Sequence, residues 1–265
     1  MSLTRALDIA KTGLYLQETN IGVKAGNLAA QGVDAYKAQY LVAQDLGYQD
    51  ASQAGASSSA STITPIGLPI SLGVKAAGIY RNQKQGDPIG TENESDIMIN
   101  GKGFYQVQMP DGTTGYTRAG SFQTGPQGTL ETIDGYQLIP AITVPTTGVE
   151  SLVVSQEGVV QVMIQGQTAM QTIGQIQLAS FINPNGLRGV GKNTFVETEA
   201  SGTATVSNPA LNGIGSLWQK FRESSNVNPV EEITDMIKIQ HAYEHLTKVI
   251  STTDSMFDTA SRMSR

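Results

Sequence analysis

Two histidines are all the imidazole this chain has, and they stand four residues apart in its last hydrophobic stretch. His241, Glu244 and His245 read H-x-x-E-H. Inverted zinc peptidases use this order to put two imidazoles on one helix face, with a carboxylate that activates water. Such a site needs a third ligand. The acids that follow, Asp254 and Asp258, lie more than two turns further along the same segment and cannot converge on the same ion. The motif therefore reads as flanking helix residues that face solvent, a lumen or a neighbouring subunit. Gly101-Lys102-Gly103 lacks the upstream glycine and the following Ser or Thr of a phosphate-binding loop, and reads as a turn. Serines and aspartates are available for a nucleophilic triad, but with both histidines on the terminal segment the triad has no support. No set of residues asks for a cofactor or a metal.

The elements that carry these residues are more informative than the residues themselves. Met236, Ile239, Tyr243, Leu246, Ile250, Thr253, Phe257 and Ala260 follow alternating steps of three and four, which makes one stripe of a helix. Asn228 is placed to cap that helix, Pro229 suits its first position, and Glu231 and Glu232 put negative charge where the dipole is positive. From Val230 to Ala260 the rod is roughly 46 Å long at about 1.5 Å per residue, more than a compact domain needs. Ile233, Ile237 and Val249 widen the apolar stripe beyond a two-helix zipper.

The first thirty residues match it. Leu3, Leu7, Ala10, Leu14, Gln17, Ile21, Lys24 and Leu28 form a second heptad seam, with Leu7, Leu14, Ile21 and Leu28 seven apart, and Gly32 is placed to end the helix. Chain ends are ordinarily the polar, frayed parts of a fold. Here they carry the most regular hydrophobic pattern, which fits either an intramolecular stalk or a core completed only by several subunits. Gln17 and Lys24 weaken a simple two-helix zipper and favour the second. The predicted assembly seam is Leu7, Leu14, Ile21 and Leu28 on the first helix, with Met236, Ile239, Tyr243, Leu246, Ile250 and Phe257 on the last.

Composition narrows the function classes. Charged residues make up 15% of the 265 residues, against about 25% in ordinary domains. The net charge of −6 without a run of Lys or Arg argues against nucleic acid or an anionic membrane as partner. There is no cysteine, hence no disulfide and no thiolate site. No run of apolar residues is long enough to span a bilayer, and the N-terminus reads as part of the first helix and not as a secretory signal.

Between the helices the pattern is β. Val33 to Tyr48 has no convincing period, and Gln49 to Thr64 is a low-complexity run of Ser, Ala and Gly, read as a flexible loop or as a segment that orders against a neighbour. Pro65 and Pro69 bracket Ile66, Leu68 and Ile70, and Val74 to Arg81 reads as a two-sided strand. From Asp96 to Val206 short strands alternate with turns such as Pro110-Asp111-Gly112 and Asp134-Gly135. Leu211 to Glu223 is expected to return and pair with the stretch around Val74 to Asn82. The predicted fold class is α+β. It has a helix at 1–32, an extended middle region at 33–95 with an insertion at 49–73, an all-β domain at 96–206, a return segment at 207–228 and a helix at 229–265.

Several stretches carry a resemblance to a known family. They are Ala10-Lys11-Thr12-Gly13-Leu14, Asn27-Leu28-Ala29 and Tyr36-Lys37; Gly101-Lys102-Gly103-Phe104 and Tyr116-Thr117-Arg118-Ala119-Gly120-Ser121-Phe122; and Ser225-Asn226-Val227-Asn228, Ala242-Tyr243-Glu244 and Ser251-Thr252-Thr253-Asp254. With them the chain resembles the flagellar axial proteins of the rod and hook over nearly its whole length. Gln49 to Gly73 resembles the insertion that marks the distal part of the rod, and the β domain is too short for a hook protein. The chain departs from the family pattern at Ala30, in the loop Gln31 to Ala35, and at His241 and His245.

The resemblance implies a non-enzymatic structural subunit that assembles into a tubular helical homopolymer carrying motor torque to the hook. The terminal helices would form a coiled-coil-like inner tube, the extended regions a middle layer and the β domain the outer surface. Implied partners are copies of itself, neighbouring rod and hook proteins, the surrounding rings and the flagellar export apparatus, which passes the chain across the inner membrane into the periplasm-spanning rod. The alternatives are a proximal-rod or hook-type sibling, or a secreted β-domain binding module on a coiled-coil stalk. One chemical expectation is directly testable. Chain dialysed after exposure to zinc retains no stoichiometric metal by elemental analysis, and His241→Ala changes nothing; retention that the substitution abolishes contradicts the non-catalytic reading.

Overall fold

The computed structural model describes residues 3–52, 55, 57–59, 62–63, 66–145, 148–166 and 169–263. It is an α+β chain with a long helix at each end and a mostly β middle. Two compact units emerge: residues 1–29, 39–81 and 228–265 make one, and residues 30–38 and 82–227 the other.

The helical unit holds α1 (Leu3–Ala29) and α2 (Pro229–Met263). The Asn228 cap forms as its residue type requires: its side-chain oxygen accepts from Val230 N at 3.2 Å. The two helices run antiparallel, because Gly13 lies against Leu246 while Lys24, further along α1, meets Glu232 and Asp235 at the start of α2. Strand Gln39–Asp45 pairs antiparallel with Val74–Arg81, and Tyr48–Ser52 with Leu68–Ser71. Asn27, fully buried, ties α1 to this ribbon by accepting from Gln39 N and donating to Gln39 O, both at 2.8 Å. Thr12 does the same one end further, accepting from Val74 N at 3.2 Å.

Part of the low-complexity run is therefore strand. Ser57–Ser59 pairs with Thr62–Ile63, while Gln53, Ala54, Ala56, Ala60, Ser61, Thr64 and Pro65 lie outside the described residues.

The expected pairing of Leu211–Glu223 with Val74–Asn82 is overturned. Ser216–Gln219 pairs with Ile97–Asn100, and Phe221–Glu223 with Pro88–Gly90, while Val74–Arg81 pairs with the strand at 39–45.

In the β unit, Phe104–Gln108 lies at the centre of the main sheet. It pairs with Thr114–Thr117, with Gln137–Ile139 and, at its start, with Leu178–Ser180. Period-two alternation sends adjacent aromatics to opposite faces. Tyr105 enters a core with Phe122, Ile97, Leu130 and Leu217, its hydroxyl donating to Ile97 O at 2.7 Å. Phe104 enters a smaller core with Tyr116, Phe181 and Leu187. A three-stranded sheet of Val149–Val154, Val159–Ile164 and Gln171–Gln175 adds Leu152, Val154, Val160 and Val162 to the larger core.

The β unit is closed by one carboxylate. Glu223, buried, takes Lys37 Nζ at 2.5 Å, Gly86 N at 2.9 Å and Arg118 Nε at 2.7 Å, and its own carbonyl accepts from Ala35 N at 2.8 Å. Gly86 has to be glycine, since a Cβ there would sit 2.0 Å from Ser224 O. Beside this cluster Asn226 accepts from Ala38 N and donates to Asn82 O and Lys84 O, so the return segment clasps both the entry loop and the chain after residue 82.

Burial holds the Lys37 pKa below the ordinary lysine value, with Glu223 opposing and the charge of Arg118 adding to the depression. Between that lowered value and the ordinary one, about 10.4, the unfolded chain binds more protons, so this group adds stability as pH rises. Glu223→Ala strands two buried cations and should lower unfolding stability by about 3–5 kcal/mol in urea titrations. Lys37→Met should cost less, because Arg118 still neutralises Glu223, and it should remove the alkaline rise.

Candidate functional site

α1 and α2 pack against each other, with contacts at Gly13–Leu246 and at Lys24 with Glu232 and Asp235. On α1, Ala10, Lys24 and Asn27 are buried and Leu7, Leu14, Ile21 and Leu28 half-buried. On α2, Ile239 is buried and Met236, Leu246, Ile250 and Phe257 half-buried, whereas Tyr243 is 42% exposed. At Gly13 the helices approach closely, since a Cβ there would meet Leu246 at 3.1 Å.

Lys24 is not the weak point that its charge suggests. Its ammonium sits 3.0 Å from Asp235 Oδ2 and 3.2 Å from Glu232 Oε2, and 4.9 Å from the centre of the Tyr40 ring. Glu232 lies on the seam itself and is as buried as Ile239. Burial works against the Lys24 ammonium, but the bonds to Asp235 and Glu232 outweigh it and raise the pKa. Lys238 first, then Lys24, lowers the Asp235 pKa. The sequence signal was there, a seam cation and seam acids at matching antiparallel positions, but it reads as a defect until the helix orientation is known.

Apolar residues beside the seam stay in solvent. Val230 is 72% exposed and Ile233 and Ile237 each 48%, on the side of α2 away from Glu232 and Ile239. Val249 and Met256 are exposed on another side. In the ribbon of the same unit Tyr48, Ile66, Leu68 and Leu72 are exposed as well.

The chemically suggestive residues are placed differently. His241 and Glu244 are exposed and 3.5 Å apart, His245 is exposed, and among the described residues no three His, Asp or Glu side chains gather as metal ligands. Gly101-Lys102-Gly103 is a turn whose carbonyls and first amide are already used: Arg118 donates to Gly101 O and Gly103 O, and Gly101 N donates to Gln85 Oε1. Such a turn cannot cradle a phosphate. A cleft of about 430 Å³ in the β unit is lined by Val33, Asp34, Ile133 and Asn193, but its polar groups are already used. The Asp34 carboxylate takes Ser121 Oγ and Arg222 Nη1, and Asn193 Nδ2 donates to Asp34 O. Among the described residues no helix is long and apolar enough to cross a membrane.

Comparison with known proteins decides the family. A family model described as the flagellar hook protein FlgE/F/G D1 domain matches residues 98–162, and one described as the flagellar basal body rod FlgEFG protein C-terminal region matches residues 219–263. The flagellar basal-body rod protein FlgG of Caulobacter vibrioides is 44% identical over 98% of this chain and 99% of its own length. That of Borreliella burgdorferi is 37% identical over 99% and 100%. The chain belongs to the FlgG family of flagellar basal-body rod proteins. The rod protein FlgF of Caulobacter vibrioides is 34% identical but aligns over only 68% of the chain. As a FlgG-family member the chain is a structural subunit of the bacterial flagellar basal body, located in its rod.

Membership does not say why the terminal helices hold together, and the Lys24 pin gives a physical answer. Lys24→Met leaves Glu232 buried without its cation, and should weaken the α1–α2 pairing by about 3 kcal/mol, seen as faster hydrogen exchange in α1. Asp235 acts in the same direction at acid pH. Its contribution is present above the unfolded carboxyl value and is lost as pH falls through the lowered folded value.

Proposed function

We propose that this rod subunit acts in the distal part of the rod by building a tube whose stiffness carries motor torque to the hook, and that it catalyses nothing. The observation that carries this reading is the apolar surface left on α2 beside a seam that is already paired. Val230 is mostly exposed and Ile233 and Ile237 about half exposed on that side of the helix, and they suit burial against helices of other copies.

On this reading the terminal helices, residues 1–32 and 229–265, form a coiled-coil-like inner layer through Leu7, Leu14, Ile21, Leu28, Met236, Ile239, Tyr243, Leu246, Ile250 and Phe257 together with the exposed residues beside them. Residues 33–95 and 207–228 form a middle layer and residues 96–206 an outer β domain. The insertion at 49–73, with Tyr48 and Leu72 at its base, packs between neighbouring copies and straightens the tube. Partners are copies of the chain, the adjoining rod and hook proteins, the surrounding rings and the export apparatus that delivers the chain to the growing rod across the inner membrane.

The experiment is a double substitution, Ile233→Asp with Ile237→Asp, in cells lacking the native gene. The variant monomer is expected to keep its helical circular dichroism, because neither side chain is in the buried seam, while cells lose swarming and isolated basal bodies lack full-length rods. Normal rods and swarming would overturn the assigned assembly face.

A further inference from the structure

The chain has three Asn-Gly pairs, Asn100-Gly101, Asn185-Gly186 and Asn212-Gly213. Each is a potential site of spontaneous deamidation, in which the glycine amide nitrogen attacks the asparagine Cγ. Whether it proceeds depends on whether that amide is free and the backbone can move.

The fold answers differently at the three sites. Gly101 N donates to Gln85 Oε1 at 2.9 Å, and Gly101 is packed so closely on Gly215 that a Cβ would meet it at 2.8 Å. Asn100 itself is held in the ladder opposite Ser216. Gly186 N donates to Asn183 O at 3.1 Å, and Gly186 lies hard against the Ala200–Ser201 backbone, where a Cβ would come within 2.6 Å. Gly213 N has no acceptor among the described residues. Nothing lies within 4 Å of where its Cβ would be, and both Asn212 and Gly213 are exposed. Asn212 has φ +53 and Gly213 φ +75, consecutive left-handed residues at an open turn. Among the described residues the Asn212 carboxamide bonds only to Ser207 Oγ, at 3.1 Å, and that bond is exposed.

We propose that Asn212 is the deamidation site of the folded chain, and that the fold protects Asn100 and Asn185. Gly213 N forms a bond to Asn212 Cγ and gives its proton to solvent base, while the carboxamide C–N bond breaks and ammonia leaves. Water then opens the resulting five-membered imide at either carbonyl, giving aspartate or isoaspartate at position 212 without oxidant or cofactor. The product carries one more negative charge, and the isoaspartate form inserts a methylene into the turn that Ala210 N→Gly215 O closes at 3.0 Å. Gly215 N in turn donates to Lys102 O at 2.7 Å, so the altered turn adjoins the Gly101–Gly103 turn. In a subunit built into a long-lived structure this reaction is an irreversible mark of age.

The test incubates the full-length chain at mildly alkaline pH, once folded and once in urea, and follows each asparagine by mass spectrometry of proteolytic peptides. In urea the three pairs should react at similar rates. In the folded chain Asn212 should keep nearly its urea rate, while Asn100 and Asn185 slow by roughly tenfold or more, since their glycine amides must first leave a hydrogen bond. Equal rates at all three sites in the folded chain, or protection of Asn212 to the level of the other two, would overturn the assignment.

Discussion

A carboxylate placed where water cannot reach it must be neutralised by its neighbours, and Glu223 draws its neighbours from three distant parts of the chain. Lys37 comes from the loop after α1, Gly86 from the segment leading into the β sheet, and Arg118 from the strand end beside Phe122. Each ion loses several kcal/mol of hydration on burial, so the arrangement holds only when all members are present together. Other donors of Arg118 go to Ile99 O, Gly101 O and Gly103 O, which fixes the turn before the central strand. Two cations on one carboxylate would leave uncompensated charge, and the carbonyls aimed at Arg118 and the Lys84 carbonyl that takes Lys37 Nζ at 2.8 Å answer it. The β unit is thus defined by its two ends as much as by its sheet: without residues 30–38 and 223–227 the cluster has neither Lys37 nor Glu223.

The helical unit solves the same problem with the signs reversed. One buried cation, Lys24, stands between Glu232 and Asp235. A wholly apolar seam of Leu and Ile would pack as well in several registers, because one heptad slip replaces leucine by leucine. A single buried ammonium with its acids at one height removes that degeneracy. Asn27 and Thr12 extend the fixing to the ribbon, where backbone hydrogen bonds leave no freedom to slide.

These pins explain what could be read from the sequence and what could not. Val159–Ile164 was legible because one face is buried and the alternation is clean, whereas Ile97–Asn100 and Leu130–Thr132 do not alternate and were legible from the turns that bound them. Gln39–Asp45 was not, because it is half-buried at one end and exposed at the other, so no period marks it. The pairing of Val74–Arg81 is hidden for the same reason, because no period marks its partner strand. α2 was legible to within a few residues through Asn228, Pro229 and the heptad spacing. The α1–α2 contact needed a direction that no local pattern supplies. The stretches that carried the family resemblance contain Thr12, Asn27, Lys37, Arg118 and Asn226. Sequence alone gave no reason for these residues to stand out; in the fold each is a hydrogen-bonding pin. The H-x-x-E-H motif was legible as spacing, and in the fold His241, Glu244 and His245 are exposed on one helix with no third ligand beside them among the described residues.

On the proposed reading, the exposed residues of α2 also limit how the subunit can be added. Burying Val230, Ile233 and Ile237 against a neighbour is worth about 1–2 kcal/mol each, while fixing one free subunit against another costs on the order of 4–15 kcal/mol. One such contact does not hold a pair of subunits together. Several contacts made at once do, because the translational cost is met only once while each further neighbour adds its own buried area. On that reading a subunit with this distribution of apolar surface gains more from joining several neighbours at once than from forming a dimer. Growth is then confined to an end where several ordered neighbours already wait. The seam that Lys24 fixes inside the chain supplies the other requirement, since each arriving subunit presents its apolar face on a helix pair whose register is already set.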